Sequence, residues 1–299
     1  MDRAGLDALR AGGKPALARA LSRLETAPDD PATLALLDAA YQAARGRVIG
    51  LTGPPGVGKS TLMSRLIQHW RGAGLTVGCI AVDPSSRRSG GALLGDRTRL
   101  ATDPDDQGVF VRSMAARDRL GGLAELTVAA MVLMRALFDR VLIETVGVGQ
   151  SETDVAALVD SVLFCVQPGS GDSLQFMKAG IAEIPDIVVV TKADLAAAPR
   201  ACADVAAALA LTPRAGWTVP VLAVAAPADQ GIAELIAALD RHADHPGDRR
   251  HAQAEQWLVQ AVRDRFGRDG LRRAGRLDLP PGASPFGRLA ALSHALARD

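Results

Sequence analysis

Between residues 47 and 225 the chain alternates short apolar runs with longer stretches whose apolar residues recur every three or four positions. The runs 47–52, 76–82, 109–113, 140–145, 161–167, 187–191 and 219–225 are rich in β-formers and predict strands. They are continuous rather than alternating, as strands buried on both faces are. The predicted fold class is therefore α/β, a mostly parallel sheet covered by helices. Helical stretches fall between several strands, notably 122–138, 173–184 and 231–243. In such a sheet the functional loops gather at the carboxyl ends of the strands.

The flanks read as helical. Leu17, Leu21 and Leu24 recur at helical spacing, and Asp30-Pro31 opens a second run carrying Leu34, Leu37 and Tyr41. The alanine-rich stretch 195–211 predicts a plain helix without chemistry. Residues 246–250 read as a linker. Trp257, Leu258, Ala261, Val262 and Phe266 then form an apolar stripe for packing on the core or on a second subunit, before a short helix at 287–297. The expected organisation is a helical extension over 1–45, an α/β domain over 46–245, and a helical extension over 246–299 that could serve as a dimerisation arm.

Hydrophobic residues make up 48% of the chain and aromatics 3%, so the core is built from Ala, Leu and Val. A net charge of +1 without a long single-sign block argues against nucleic acid and acidic membrane surfaces as partners. No apolar run approaches transmembrane length, and the first residues do not resemble a signal peptide, so a cytoplasmic location is expected. Cys79, Cys165 and Cys202 lack metal or redox spacing and read as buried thiols in a reducing compartment. His242 and His245, three apart near a helix end, read as solvated. Arginine carries the bulk positive charge; of four lysines, Lys59, Lys178 and Lys192 fall inside candidate functional segments.

The stretch Gly53-Pro54-Pro55-Gly56-Val57-Gly58-Lys59-Ser60-Thr61 fits G-x-x-x-x-G-K-[ST], between a predicted strand and a predicted helix. Residue frequencies give about 0.003 chance matches per chain of this composition, before the strand–helix context is counted. In such a loop successive backbone N–H groups point at phosphates, and the helix N-terminus adds partial positive charge. Lys59 would reach the β- and γ-phosphates, and the Ser60 hydroxyl would bind Mg²⁺. Asp83, in Val82-Asp83-Pro84, ends the second strand, where a carboxylate lies near such a metal. Glu144 ends the strand 140–145; a buried Glu without a partner there would be expensive. Gly147 follows, placed to donate its N–H to a γ-phosphate and so to sense nucleotide state. Thr191-Lys192-Ala193-Asp194 closes another strand. A carboxylate at Asp194 can accept both guanine N–H donors, which selects GTP over ATP, while the Lys192 stem covers the base. The strand end at Ala225-Ala226 supplies a backbone N–H for the guanine carbonyl.

The segments GPPGVGKST (53–61), VDPSSRRSGGALLGDRTR (82–99), ETVGVGQSE (144–152), GSGDSLQFMKAGI (169–181) and TKAD (191–194) together resemble the MeaB/ArgK family of P-loop GTPases, bacterial counterparts of the methylmalonic aciduria type A protein. The resemblance covers most of the chain. It implies a GTPase that gates adenosylcobalamin loading and protects an acyl-CoA mutase of the methylmalonyl-CoA mutase type, and it implies a homodimer. Adenosylcobalamin would be met only through that partner. Carried over by position, Ser60, Asp83, Asp96 and Glu144 are the Mg²⁺ and switch acids. Gln150, Gln175 and Lys178 belong to switch segments that respond to the partner.

Thr191 stands where the family usually has Asn, and Ala225 where Ser is usual. Each is expected to remove a polar group that buttresses the base loop. No residue is an obvious water-positioning base, so hydrolysis is expected to be slow alone and faster with the partner. Three rival readings differ in chemistry. A nickel-delivery GTPase of the same fold class needs Cys/His ligands near the nucleotide loops, and no histidine here pairs in sequence with a cysteine. A kinase tied to amino-acid transport needs a phosphate acceptor, and none is evident. In a GTP-dependent scaffold hydrolysis would be incidental.

Overall fold

A computed structural model describes residues 3–84, 100, 102–116, 125–145, 155–169, 183–212, 216–244 and 249–297. These residues form two compact units: Arg47–Leu123 with Arg140–Pro246, and Met1–Gly46 with Ala124–Asp139 and Gly247–Asp299.

The first unit is built on a parallel sheet, seven-stranded among the described residues. Its strands are β1 (Arg47–Thr52), β2 (Val77–Pro84), β3 (Val109–Ala116), β4 (Arg140–Glu144), β5 (Ser161–Val166), β6 (Ile187–Val190) and β7 (Val221–Ala223). The spatial order is β3-β2-β4-β1-β5-β6-β7. Every described residue of β5 and β6 is buried, and all but the first residue of β1 and β4, as the continuous apolar runs require. Helix α3 (Lys59–Gly72) and helix α6 (Ile232–Ala243) share an apolar cluster with Ile49, Leu51, Leu163 and Cys165. Helix α5 (Ala198–Leu209) instead joins Phe164, Val166, Val188 and Val190. Neighbouring residues of β5 thus face opposite layers, following the two-residue period of a strand.

Gly50 lets the chain pass flush against β1: a Cβ there would stand 2.5 Å from a Val155 methyl. At the other side of the sheet, Arg71 grips Asp106 through Nε and Nη2, both at 2.8 Å, while its Nη1 donates to the Leu75 carbonyl at 2.8 Å. This fork sits just ahead of β3, an edge strand among the described residues.

Burial at the amino end of the sheet corrects the reading of His242 as solvated. It lies on the buried face of α6, below Ile232, Leu235 and Leu239, and is 6% exposed. Its Nδ1 is 2.7 Å from Ser161 Oγ and its Nε2 is 3.3 Å from Asp186 Oδ1. Asp186 also accepts the Val162 N–H, and Trp217 donates its ring N–H to the Asp186 carbonyl. The helical turn count, not local polarity, decides where this ring points. His245 lies outside the described residues.

The second unit contains α1 (Arg3–Thr26), α2 (Pro31–Gln42), α4 (Glu125–Leu137), α7 (Arg249–Ala274) and α8 (Pro285–Leu296). Helix α2 starts where its sequence says it should. The Asp30 side chain accepts the Thr33 N–H at 3.1 Å, and Pro31 fills the first position, where no N–H is needed. Ser284 and Pro285 repeat that device at α8. Helix α4 is buried from Thr127 to Ala136, and Arg265 ties it to the loop before α2 through Glu125 and Asp29. Helix α7 bends at Gly267, whose φ is 68°. The predicted stripe on α7 packs within its own chain: Leu258, Ala261 and Val262 are buried with Leu279, Leu289, Leu292 and Leu296. Among the described residues, no helix is long and apolar enough to cross a membrane.

Candidate nucleotide-binding site

The loop 53–58 leaves β1, the strand between β4 and β5, and runs into α3. Two glycines are dictated by geometry. A Cβ on Gly53 would stand 2.2 Å from the Cys165 carbonyl oxygen, so only glycine lets the loop cross the end of β5. Gly58 caps α3 with φ 104°, in the left-handed region. Val57 is fully buried and anchors the loop in the core. The result is a glycine-rich turn ending on a helix N-terminus, the arrangement in which backbone N–H groups converge on an anion.

Lys59 opens α3 and is 7% exposed. It curls back over its own loop, donating to the Gly53 carbonyl at 2.8 Å and the Pro54 carbonyl at 3.0 Å. The Ser60 hydroxyl donates to Glu144 Oε1 at 2.9 Å, which joins the glycine-rich loop to the end of β4. Glu144 pairs in register with Leu51 of β1 and Ala81 of β2, and Asp83 lies two residues further along β2. A hydroxyl and a carboxylate are hard oxygen donors of the kind Mg²⁺ takes, and they stand together at the loop's mouth. Among the described residues no cluster of three or more His, Cys, Asp or Glu forms a metal site. The Asp83 side chain, Asp96, Gly147, Gln150, Gln175 and Lys178 lie outside the described residues.

Beside Glu144, Thr145 and Thr52 meet hydroxyl to hydroxyl at 3.1 Å, and the Thr145 N–H bonds the Leu51 carbonyl at 3.1 Å. The strand ends are thereby tied to each other. The Cys165 thiol, at the end of β5, is pushed up to about 12 by burial, and burial also raises Cys79. Neither carries a thiolate to the loop.

On the other side of the loop stands the segment after β6. Thr191 is buried, and its hydroxyl lies 2.7 Å from the Val57 carbonyl and 2.9 Å from that of Val166. The expected loss of a buttress at this position does not occur: threonine supplies a donor that reaches the loop. Lys192 takes the left-handed conformation (φ 52°) and donates to the Gly56 carbonyl at 3.2 Å and to Gln167 Oε1 at 2.5 Å. Asp194 is exposed, two residues beyond it. Ala225 exchanges both backbone bonds with Gln230, so the N–H at this strand end that a base carbonyl could meet is that of Ala226. Local spacing gave no signal for Thr145, Gln167 or the inward role of Thr191, since each depends on which strands lie side by side.

A parallel sheet whose first strand delivers such a loop to a helix defines a P-loop nucleotide-binding protein. Comparison with known proteins narrows this. The chain belongs to the MeaB family: the family described as "Methylmalonyl Co-A mutase-associated GTPase MeaB" matches residues 17–271. A "Probable GTPase" of Mycobacterium tuberculosis is 41% identical over 272 residues, spanning 86% of this chain and 81% of that one. The mouse "Methylmalonic aciduria type A homolog, mitochondrial" is 41% identical over 193 residues, 62% of this chain and 46% of its own. A crystal structure of an LAO/AO transport system kinase covers 99% of both chains with a TM-score of 0.67 and 26% identity. Membership of this GTPase family brings with it GTP, GDP and Mg²⁺ as ligands.

Proposed function

We propose that this protein is a GTP-hydrolysing chaperone that gates adenosylcobalamin loading and protection of an acyl-CoA mutase of the methylmalonyl-CoA mutase type. The observation that carries the reading is the family match, reinforced by the mouse relative's name. The geometry supplies the physical part. Ser60 and Glu144 form a direct bond from the phosphate loop to β4, so nucleotide chemistry at one is felt at the other.

In this reading the loop 53–61 holds the phosphates through backbone N–H groups. Lys59 exchanges the Gly53 and Pro54 carbonyls for the β- and γ-phosphates. Ser60, Glu144, Asp83 and Asp96 would hold Mg²⁺, which supplies charge neutralisation on the β- and γ-oxygens. Asp194 and the Ala226 N–H read the guanine, with the Lys192 stem alongside. Gly147, Gln150, Gln175 and Lys178 carry the nucleotide state to the mutase, and the partner in turn raises hydrolysis by ordering them.

The test is GTP turnover by the full chain with and without the mutase, in its apo and cobalamin-loaded forms. Stimulation of more than about tenfold, blunted in Lys178→Ala, is expected; activating proteins elsewhere give about 10³–10⁵. No stimulation and no complex by light scattering with GDP or a non-hydrolysable GTP analogue would overturn the chaperone reading. Similarity to a transport system kinase favours a second reading, phosphoryl transfer to an acceptor. With γ-labelled GTP it predicts label on a protein or small molecule instead of on free phosphate.

A further inference from the structure

Helix α3 does more than present Lys59 and Ser60 at its first turn. On its solvent side, Arg65 lays its guanidinium across two successive carbonyls, donating from Nε to Ala226 at 2.8 Å and from Nη2 to Pro227 at 2.9 Å. Its third nitrogen is held by Gln68 Oε1 at 2.9 Å, which fixes the plane of the fork. One turn further on, His69 Nε2 lies 2.7 Å from Asp229 Oδ1. Arg65 and His69 are four apart and so share one helix face.

The segment they hold is the short helical turn Ala226–Ala228 and its left-handed successor Asp229, whose φ is 57°. This turn is closed at its base by the Ala225–Gln230 bridge. We propose that Arg65, assisted by His69, is a positioning residue for base recognition: it aims the Ala226 N–H at the nucleobase from the helix that starts at the phosphates. The proposal rests on the reading of Asp194 and Ala226 as the base-contacting groups.

The chemistry favours Arg in this role. A guanidinium presents a rigid planar fork that matches two acceptors at once, whereas a lysine ammonium is a single flexible point. The pinned carbonyls belong to the Ala226–Pro227 and Pro227–Ala228 peptides, and proline already fixes its own φ. The Ala226 N–H sits in the preceding peptide, whose Ala225 carbonyl accepts from Gln230 and Ala228, so Arg65 completes a turn held on both sides of that N–H. The His69–Asp229 contact is the more exposed of the two and secondary to the fork.

The experiment is calorimetric titration of the full chain with GTP, ATP and inorganic tripolyphosphate, each with Mg²⁺, for wild type, Arg65→Ala, Arg65→Lys and His69→Ala. Arg65→Ala is expected to weaken GTP by about tenfold, about 1.4 kcal/mol, and to shrink the GTP-over-ATP ratio by a similar factor. Tripolyphosphate binding should change by less than about twofold, since the phosphate loop keeps its own anchors. Arg65→Lys should fall between the two, and His69→Ala should lose about threefold for GTP. A wild-type preference for GTP that survives intact in Arg65→Ala and His69→Ala overturns the positioning role alone. Equal loss of GTP and tripolyphosphate also overturns it, by showing general loosening. A wild type without preference for GTP over ATP sinks the base-site reading and this inference with it.

Discussion

The Thr191 hydroxyl and the Val57 carbonyl lie 2.7 Å apart, although 134 residues separate them in the chain. The nearby Val166 carbonyl already accepts the Thr191 N–H at 2.8 Å, so the hydroxyl proton is best used on Val57. Together with the Lys192 bond to the Gly56 carbonyl, this bond joins the segment after β6 to the phosphate loop, and of the two it is the buried one. Thr191→Val keeps the shape and removes the donor. A buried carbonyl left without its partner costs about 1–3 kcal/mol, so a lower melting temperature and about fivefold weaker GTP binding are expected. Thr191→Asn should restore binding. Unchanged affinity in the valine variant would show that the link is incidental.

Lys59→Ala tests the phosphate cradle. The alanine variant loses the ammonium that would meet two phosphates, and charge-assisted bonds to phosphate are the strong ones. GTP and GDP binding should fall by at least about a hundredfold. The melting temperature without nucleotide should move by no more than about 4 °C. Binding within a few-fold of wild type would dismiss the P-loop assignment.

Asp194→Asn tests base selection. An amide group replaces one carboxylate acceptor and faces the exocyclic amine of guanine, leaving donors opposed. The expected loss is about tenfold to a few hundredfold for GTP, at 1.4 kcal/mol per factor of ten. Xanthosine triphosphate, which carries a carbonyl at that position, should bind the variant better than the wild type. A competition titration measures both, and a variant with full preference for GTP would remove Asp194 from base reading.

His242 makes a prediction of the opposite kind. It is enclosed with Ser161 and Asp186 at the amino end of the sheet, whereas the phosphate loop follows the carboxyl end of β1. His242→Ala leaves the hydroxyl and the carboxylate short of a partner and opens a cavity. A stability loss of about 3 kcal/mol by denaturant titration is expected, with GTP affinity in the folded protein unchanged. A variant that is fully stable but binds GTP poorly would contradict this division.

The thiols titrate by burial. Raised pKa values keep Cys79 and Cys165 protonated at neutral and mildly alkaline pH, and a protonated thiol is a poor nucleophile. Cys202 is raised less and is half-buried on α5. Iodoacetamide at pH 8 should label Cys202 alone in the native protein and all three after unfolding. Mass spectrometry of the native digest showing Cys165 modified first would count against the burial described here.

What the sequence made legible was whatever is local. The glycine-rich loop, the strand ends at Glu144 and Thr191, and the caps at Asp30 and Ser284 are carried by residues a few positions apart. Strand burial followed from unbroken apolar runs in β1, β4, β5 and β6, whereas the run 219–225 yields only the three-residue β7, partly exposed at the end of the strand order. The inward hydroxyl of Thr191, the fork of Arg65 and the enclosure of His242 were not legible. Each depends on the lateral order of strands and the rotation of a helix, which bring together residues 81 to 161 positions apart. Polarity alone assigned His242 to solvent, while the helical period assigned it to the core.

The Arg71–Asp106 fork bears on how the sheet avoids assembling wrongly. A Cβ at Gly108 would stand 2.2 Å from the Arg71 guanidinium carbon, so a side chain directly before β3 would push that guanidinium off Asp106 and the Leu75 carbonyl. If β3 slid by one residue, a β-branched Val109 would be driven into that guanidinium, and each core-facing residue would turn to the other layer. An edge strand is where mispairing and intermolecular pairing begin. The fork therefore favours one alignment of β3: a slip of one residue would cost Arg71 its bonds to Asp106 and Leu75.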